Sequence, residues 1–99
     1  DQKTNAVSFR FSNTEISFVL STVFDSENKY FDIIITEDSA DRITVVFPDS
    51  RSNEMVKLSN EKWILSGLDS LKPHAHYFIE FHKNGKVVKV KIFLDIKGV

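Results

Sequence analysis

The chain contains no cysteine, two prolines and three glycines in 99 residues, and its formal net charge is only −1. Each shortage excludes something. Without cysteine there is no disulfide framework and no thiolate metal site. The fold must therefore stand on a hydrophobic core, which a chain of this length can supply, so secretion is not excluded. The near-balance of charge gives no electrostatic footprint for nucleic acid, and none is expected as a partner. No apolar run approaches the roughly 20 residues of a membrane-spanning helix, and no leader pattern opens the chain, so membrane insertion is not expected. No Asn-x-Ser/Thr acceptor occurs, in keeping with a source that does not glycosylate at such sites. The first residue is Asp1, which reads as a mature or excised piece of a longer protein.

With so little glycine and proline there is no linker inside the chain, and no internal repeat or low-complexity segment. One domain over 6–97 is expected, preceded by a polar stub or frayed terminus at 1–5. Apolar residues make up 41% of the sequence, enough for one core.

What the chain does have is alternation. Val7, Phe9 and Phe11 alternate with polar residues, as do Ile16, Phe18 and Leu20 after a turn at Ser12-Asn13-Thr14. Tyr30 to Thr36 is aromatic and β-branched, with Phe31, Ile33 and Ile35 on one face. Ile43 to Phe47 forms a further strand. Pro48 to Asn53 reads as a loop, and Met55 to Leu58 as a short edge strand before Trp63 and Leu65. Glu37 to Asp41 reads as a solvated loop. No segment carries a helical period.

The strongest local signal is Asn84-Gly85. Both residues tolerate the positive φ that a two-residue type I′ turn requires. With these two in the turn, Lys83 faces Lys86, Phe81 faces Val88, Ile79 faces Val90 and Tyr77 faces Ile92. The other face pairs His82 with Val87, Glu80 with Lys89, Phe78 with Lys91 and His76 with Phe93. A slip by one residue drives Lys89 and Lys91 into the core, so the pattern itself specifies the register. The expected core comprises Phe9, Phe11, Ile16, Phe18, Leu20, Phe31, Ile33, Ile35, Val45, Trp63, Leu65, Tyr77, Ile79, Phe81, Val88, Val90, Ile92 and Leu94.

Upstream of the hairpin, Leu71-Lys72-Pro73-His74-Ala75-His76-Tyr77 followed by alternating apolar residues resembles the fibronectin type III signature Leu-x-Pro-x-x-x-Tyr. The match covers about a third of the chain, from Leu65-Ser66-Gly67-Leu68 onward. It implies an antiparallel β-sandwich of seven or eight strands, fibronectin type III or immunoglobulin-like, with an open β-barrel as the alternative. It also implies that Leu71, Pro73 and Tyr77 form a tyrosine corner with a buried ring and a backbone-bonded hydroxyl. In this resemblance the Ile16–Leu20 strand is the family's second, with Phe18 or Leu20 where many members carry a buried Trp. The Arg-Gly-Asp motif that some members display between the last two strands is replaced by Lys83-Asn84-Gly85-Lys86. Such modules serve as spacers, adhesion units or accessory domains of bacterial surface proteins and secreted enzymes. The expectation is a non-catalytic extracellular or cell-surface domain whose partners are neighbouring domains or a protein or glycan ligand, with no cofactor.

The candidate contact surface is the face of the hairpin that points away from the core: His76, Phe78, Lys89, Lys91 and Phe93. If Tyr30–Thr36 lies beside the hairpin, Tyr30 and Ile34 join it. Apolar residues rimmed by charge suggest an interaction surface, and aromatics suit protein hot spots or sugar stacking. His74 and His76 share a strand face at the spacing of a zinc pair, a third reading that lacks an evident third ligand. Ser66, His74 and Asp69 supply the residue types of a nucleophilic triad, but neither a nucleophile elbow nor a glycine-rich oxyanion loop accompanies them, and no enzyme is expected.

Overall fold

The structure, a computed structural model, describes residues 4–25, 27, 30–68 and 75–94. Among the described residues every regular element is a strand, and nine are present: β1 (Thr4–Ser12), β2 (Ser17–Asp25), β3 (Tyr30–Thr36), β4 (Arg42–Val46), β5 (Ser52–Glu54), β6 (Val56–Lys57), β7 (Lys62–Leu68), β8 (Ala75–Lys83) and β9 (Lys86–Leu94). They form a five-stranded sheet of order β1-β2-β3-β7-β6 and a four-stranded sheet of order β5-β4-β8-β9, antiparallel throughout. One buried cluster is shared by the two sheets, and the Phe18 ring of β2 meets the Phe81 ring of β8 at 4.8 Å between centroids. The arrangement is consistent with a β-sandwich.

Alternation explains the longer strands. On β2 burial alternates without a break, so Phe18, Leu20, Thr22 and Phe24 all turn inward. The expected core on this strand ended at Leu20, two alternations too soon. Phe24 packs tilted against Phe31 of β3, 4.7 Å between ring centroids. Asn13 closes the preceding turn, where its carboxamide oxygen accepts the N–H groups of Glu15 and Ile16 at 2.8 and 2.9 Å. β1 begins at Thr4, so two residues of the expected 1–5 stub belong to the sheet. Phe9, Phe11, Leu65 and Val88 flank the core half-buried, and Ala40, Ile43, Phe47 and Met55 enter it unforeseen.

The expected edge strand at Met55 to Leu58 is present as β6, and the strand not foreseen is β5. β5 occupies the end of the stretch expected as loop, and Met55 is the crossing point between sheets. Its side chain is buried, and its N–H donates to the Ile43 carbonyl at 2.9 Å, after which β6 joins the other sheet beside β7. A strand of three residues such as β5 carries no readable alternation, since its pairing is made by backbone.

Two expectations about the loops and neighbours require correction. Glu37 is not a solvated loop acid: it is buried at 6% exposure, with its carboxylate turned into the 37–40 turn. β3 does not lie beside the hairpin; it sits between β2 and β7, while β8 is flanked by β4 and β9. Alternation determines which face of a strand is buried, but not which strand pairs with it.

The hairpin has the register its sequence requires, from Lys83 opposite Lys86 to Ala75 opposite Leu94. Asn84 and Gly85 take φ of 50° and 80°. An added Cβ at Gly85 meets nothing within 4 Å, so Gly85→Ala tests backbone strain alone. A loss of about 1–2 kcal/mol in denaturant unfolding is expected from the left-handed conformation; an unchanged midpoint would mean that the turn does not demand it.

Candidate functional site

The outer face of the four-stranded sheet is built by the same alternation that fills the core. On β8, Tyr77, Ile79 and Phe81 are fully buried, which sends His76, Phe78, Glu80 and His82 outward. On β9, Val90, Ile92 and Leu94 turn inward, and Lys89, Lys91 and Phe93 turn out. Pairing then forms rows across the sheet. Ser52, Val46, Phe78 and Lys91 make one row, and Glu54, Thr44, Glu80 and Lys89 the next.

Contacts within the rows set the chemistry. The Thr44 hydroxyl donates to Glu80 Oε1 at 3.1 Å and lies 3.5 Å from His82 Nε2. Lys89 Nζ stands 3.9 Å from Glu80 Oε2 and 4.7 Å above the Phe78 ring, so one cation is shared by a carboxylate and an aromatic face. His76 meets Phe93 edge to face at 5.2 Å. Phe93 nevertheless remains 50% exposed. Lys91 has no carboxylate beside it among the described residues.

Beside these rows lies an open depression of about 460 Å³, walled by Phe47, Pro48 and Ser50 of the β4–β5 turn and floored by Val46, His76, Phe78, Lys89 and Lys91. The turn is braced. Phe47 N–H donates to the Arg51 carbonyl at 2.8 Å, and Ser50 takes a φ of 74°. Asp49 accepts the Arg51 backbone N–H at 3.1 Å and its guanidinium Nε at 2.8 Å. The Arg51 backbone N–H, followed by its guanidinium, holds the Asp49 carboxyl below the usual carboxylate range. A carboxyl depressed in the folded state supports the turn above its unfolded pKa and loses that support as pH falls through its folded value.

Of the expected surface residues, His76, Phe78, Lys89, Lys91 and Phe93 lie together on one face. Tyr30 and Ile34 do not join them. They belong to the five-stranded sheet, Tyr30 opposite Asp25 and 49% exposed, Ile34 between Ser21 and Ile64. Tyr77 is fully buried with its ring 5.5 Å from Phe47, and Trp63 is buried beneath Lys57 Nζ at 5.5 Å. Leu71, Pro73 and His74 lie outside the described residues. Among the described residues no group of three His, Cys, Asp or Glu side chains is placed to hold a metal ion. Val46, Phe47, Pro48 and Ser50 were not foreseen as neighbours of the hairpin, because the pairing of β4 with β8 spans 36 residues or so of sequence and leaves no local mark.

Compared with protein-family models, curated proteins and solved structures, the chain matches none of them.

Proposed function

We propose that this chain is a non-catalytic binding module of fibronectin type III or immunoglobulin-like kind. In this reading it belongs to a larger extracellular or cell-surface protein and meets a protein partner through the outer face of β8 and β9. The strand order supports the fold assignment. β2-β3-β7-β6 opposite β5-β4-β8-β9 runs like the A-B-E-D and C′-C-F-G order of immunoglobulin-type sandwiches, with β1 as an extra edge strand. In that correspondence the second strand of the family is β3 rather than the Ile16–Leu20 strand, and its inward residues Phe31, Ile33 and Ile35 stand where Phe18 or Leu20 was expected. The observation that carries the functional reading is Phe93, half exposed on an edge strand with its ring against His76, which lines the depression together with Phe78. Apolar surface of this kind, rimmed by charge, is unfavourable in water unless something covers it.

The test is the double replacement of Phe78 and Phe93 by Ser. Because both rings lie outside the core, the midpoint in urea should shift by no more than about 1 kcal/mol equivalent. Peptides selected on the wild-type domain from a random display library should lose binding to the double variant. Unfolding of the variant, or undiminished peptide binding, would sink the reading. The same variant on an array of neutral and acidic glycans separates the sugar reading: a glycan held by wild type and lost by the variant would replace the protein partner with a carbohydrate.

A further inference from the structure

The edge strand β9 combines two features that pull in opposite directions. Lys86, Lys89 and Lys91 are the side chains expected on an edge guarded against unwanted pairing. Val87 and Phe93, at 55% and 50% exposure, are what such a guard normally leaves out. Among the described residues β9 pairs only with β8, so its other side is open over nine residues.

The hairpin register says which groups line that open side. In a two-residue hairpin the pair next to the turn, here Lys83–Lys86, exchanges its backbone hydrogen bonds, and bonded pairs then alternate with non-bonded ones. Val88, Val90 and Ile92 therefore bond to β8. The N–H and C=O groups of Val87, Lys89, Lys91 and Phe93 point to the open edge. These four also turn their side chains to the outer face, so backbone and side chains offer one continuous line to an incoming strand.

We propose that β9 accepts an extended segment of a partner protein as a tenth strand, and that this segment carries carboxylates at alternate positions facing Lys89 and Lys91. Charge selects the occupant. β9 has three lysines and no acid, and Lys91 lacks a carboxylate neighbour among the described residues. Opposite charges across a strand pair are favourable and like charges unfavourable. A second copy of β9 is thereby disfavoured: antiparallel registers centred on Lys89, Val90 or Lys91 set lysine against lysine. β1 of a second copy fares no better, since Arg10 is the one charged side chain along it. The proposal rests on the reading of this domain as a protein-binding module and adds the mode and chemistry of the partner.

Two capped nine-residue peptides serve as probes, one alternating Glu with Val and one alternating Lys with Val. The Glu peptide should bind the intact domain, and binding should weaken as salt rises. The Lys peptide should not bind. On binding, the amides of Val87, Lys89 and Lys91 should gain hydrogen-exchange protection by NMR. Lys91→Glu should reduce affinity about tenfold by turning an attractive cross-strand pair into a repulsive one. Val87→Pro keeps every lysine and, because its N–H faces the open edge, removes no bond to β8; it too should weaken the Glu peptide. Circular dichroism verifies that each variant is folded, and if Val87→Pro is not, the exchange pattern of wild type decides. Equal binding of both peptides, no binding of the Glu peptide at millimolar concentration, or protection absent from those three amides overturns the proposal. Chemical-shift changes confined to His76 and Phe78 would overturn the edge mode while leaving the outer-face reading intact. Loss of binding in the Phe78/Phe93 double variant with edge amides never protected would do the same.

Discussion

Replacing Phe81 with alanine should cost about 3–5 kcal/mol, the range for removing a large aromatic side chain from a packed core. Phe81 has no exposed surface, and its ring meets Phe18 across the interior at 4.8 Å. It is paired with Ile43 on one side and Val88 on the other, so truncation opens a cavity bordered by both sheets. The surrounding strands are held in hydrogen-bonded ladders and collapse only partly into such a space. A domain of this size has a total stability of about 5–15 kcal/mol, so the variant should lie close to unfolding at physiological temperature. The informative control is three residues away on the same strand. Phe78 is on the outer face, where its ring contacts Lys89 rather than the core. Phe78→Ala should cost about 1 kcal/mol or less, the value of an exposed cation–π contact. Urea unfolding of the two variants decides the matter: comparable losses would mean that the assignment of faces on β8 is wrong.

Glu37→Ala should cost about 2–3 kcal/mol, although the residue is in a loop, because it removes hydrogen bonds to a charged group and leaves the buried Ala40 N–H unpaired. Glu37 Oε1 accepts the N–H groups of Ser39 and Ala40 at 3.0 and 2.8 Å, and Oε2 accepts the Ser39 hydroxyl. Its own N–H donates to the Glu61 carbonyl at 2.8 Å, which ties the end of β3 to the turn before β7. The same loop reaches the other sheet: Asp41 N–H donates to the His82 carbonyl at 2.7 Å, and Asp41 Oδ2 accepts the Asn84 N–H at 3.1 Å. This loop therefore sets how the chain passes from one sheet to the other. Asp38→Ala, at an exposed position, should change stability by no more than about 0.5 kcal/mol. Thermal unfolding of both variants at neutral pH gives the comparison, and equal effects would make Glu37 the solvated loop acid that its neighbourhood in sequence suggests.

The candidate site was legible where its causes are local. Tyr77, Ile79 and Phe81 commit alternate positions of β8 to the interior, and Asn84-Gly85 supplies the turn, so the placement of Phe78, Lys91, His76 and Phe93 on one outer face follows from neighbouring residues alone. It was not legible where the causes are distant. Tyr30 and Ile34 have the right composition for the same surface, yet they pair with Asp25 and Ser21 in the other sheet. Nothing within Tyr30–Thr36 distinguishes one neighbour from another, since every candidate strand offers a similar backbone ladder. Glu37 shows the same limit for a single side chain: an acid followed by Asp38 and Ser39 looks solvated, and its burial depends on Ala40 entering the core.

By itself the sequence determined that this protein is made of strands, which face of each long strand is buried, and how β8 and β9 meet. Period-two alternation and a two-residue turn act over a few bonds, and their energetics do not wait for the rest of the chain. Only the tertiary structure decided that β3 lies between β2 and β7, that β5 and β6 continue one chain from sheet to sheet through buried Met55, and that the β4–β5 turn walls the depression beside Phe78. Those outcomes depend on which distant strands exclude water together, a choice made by the whole core at once and recorded in no single stretch of residues.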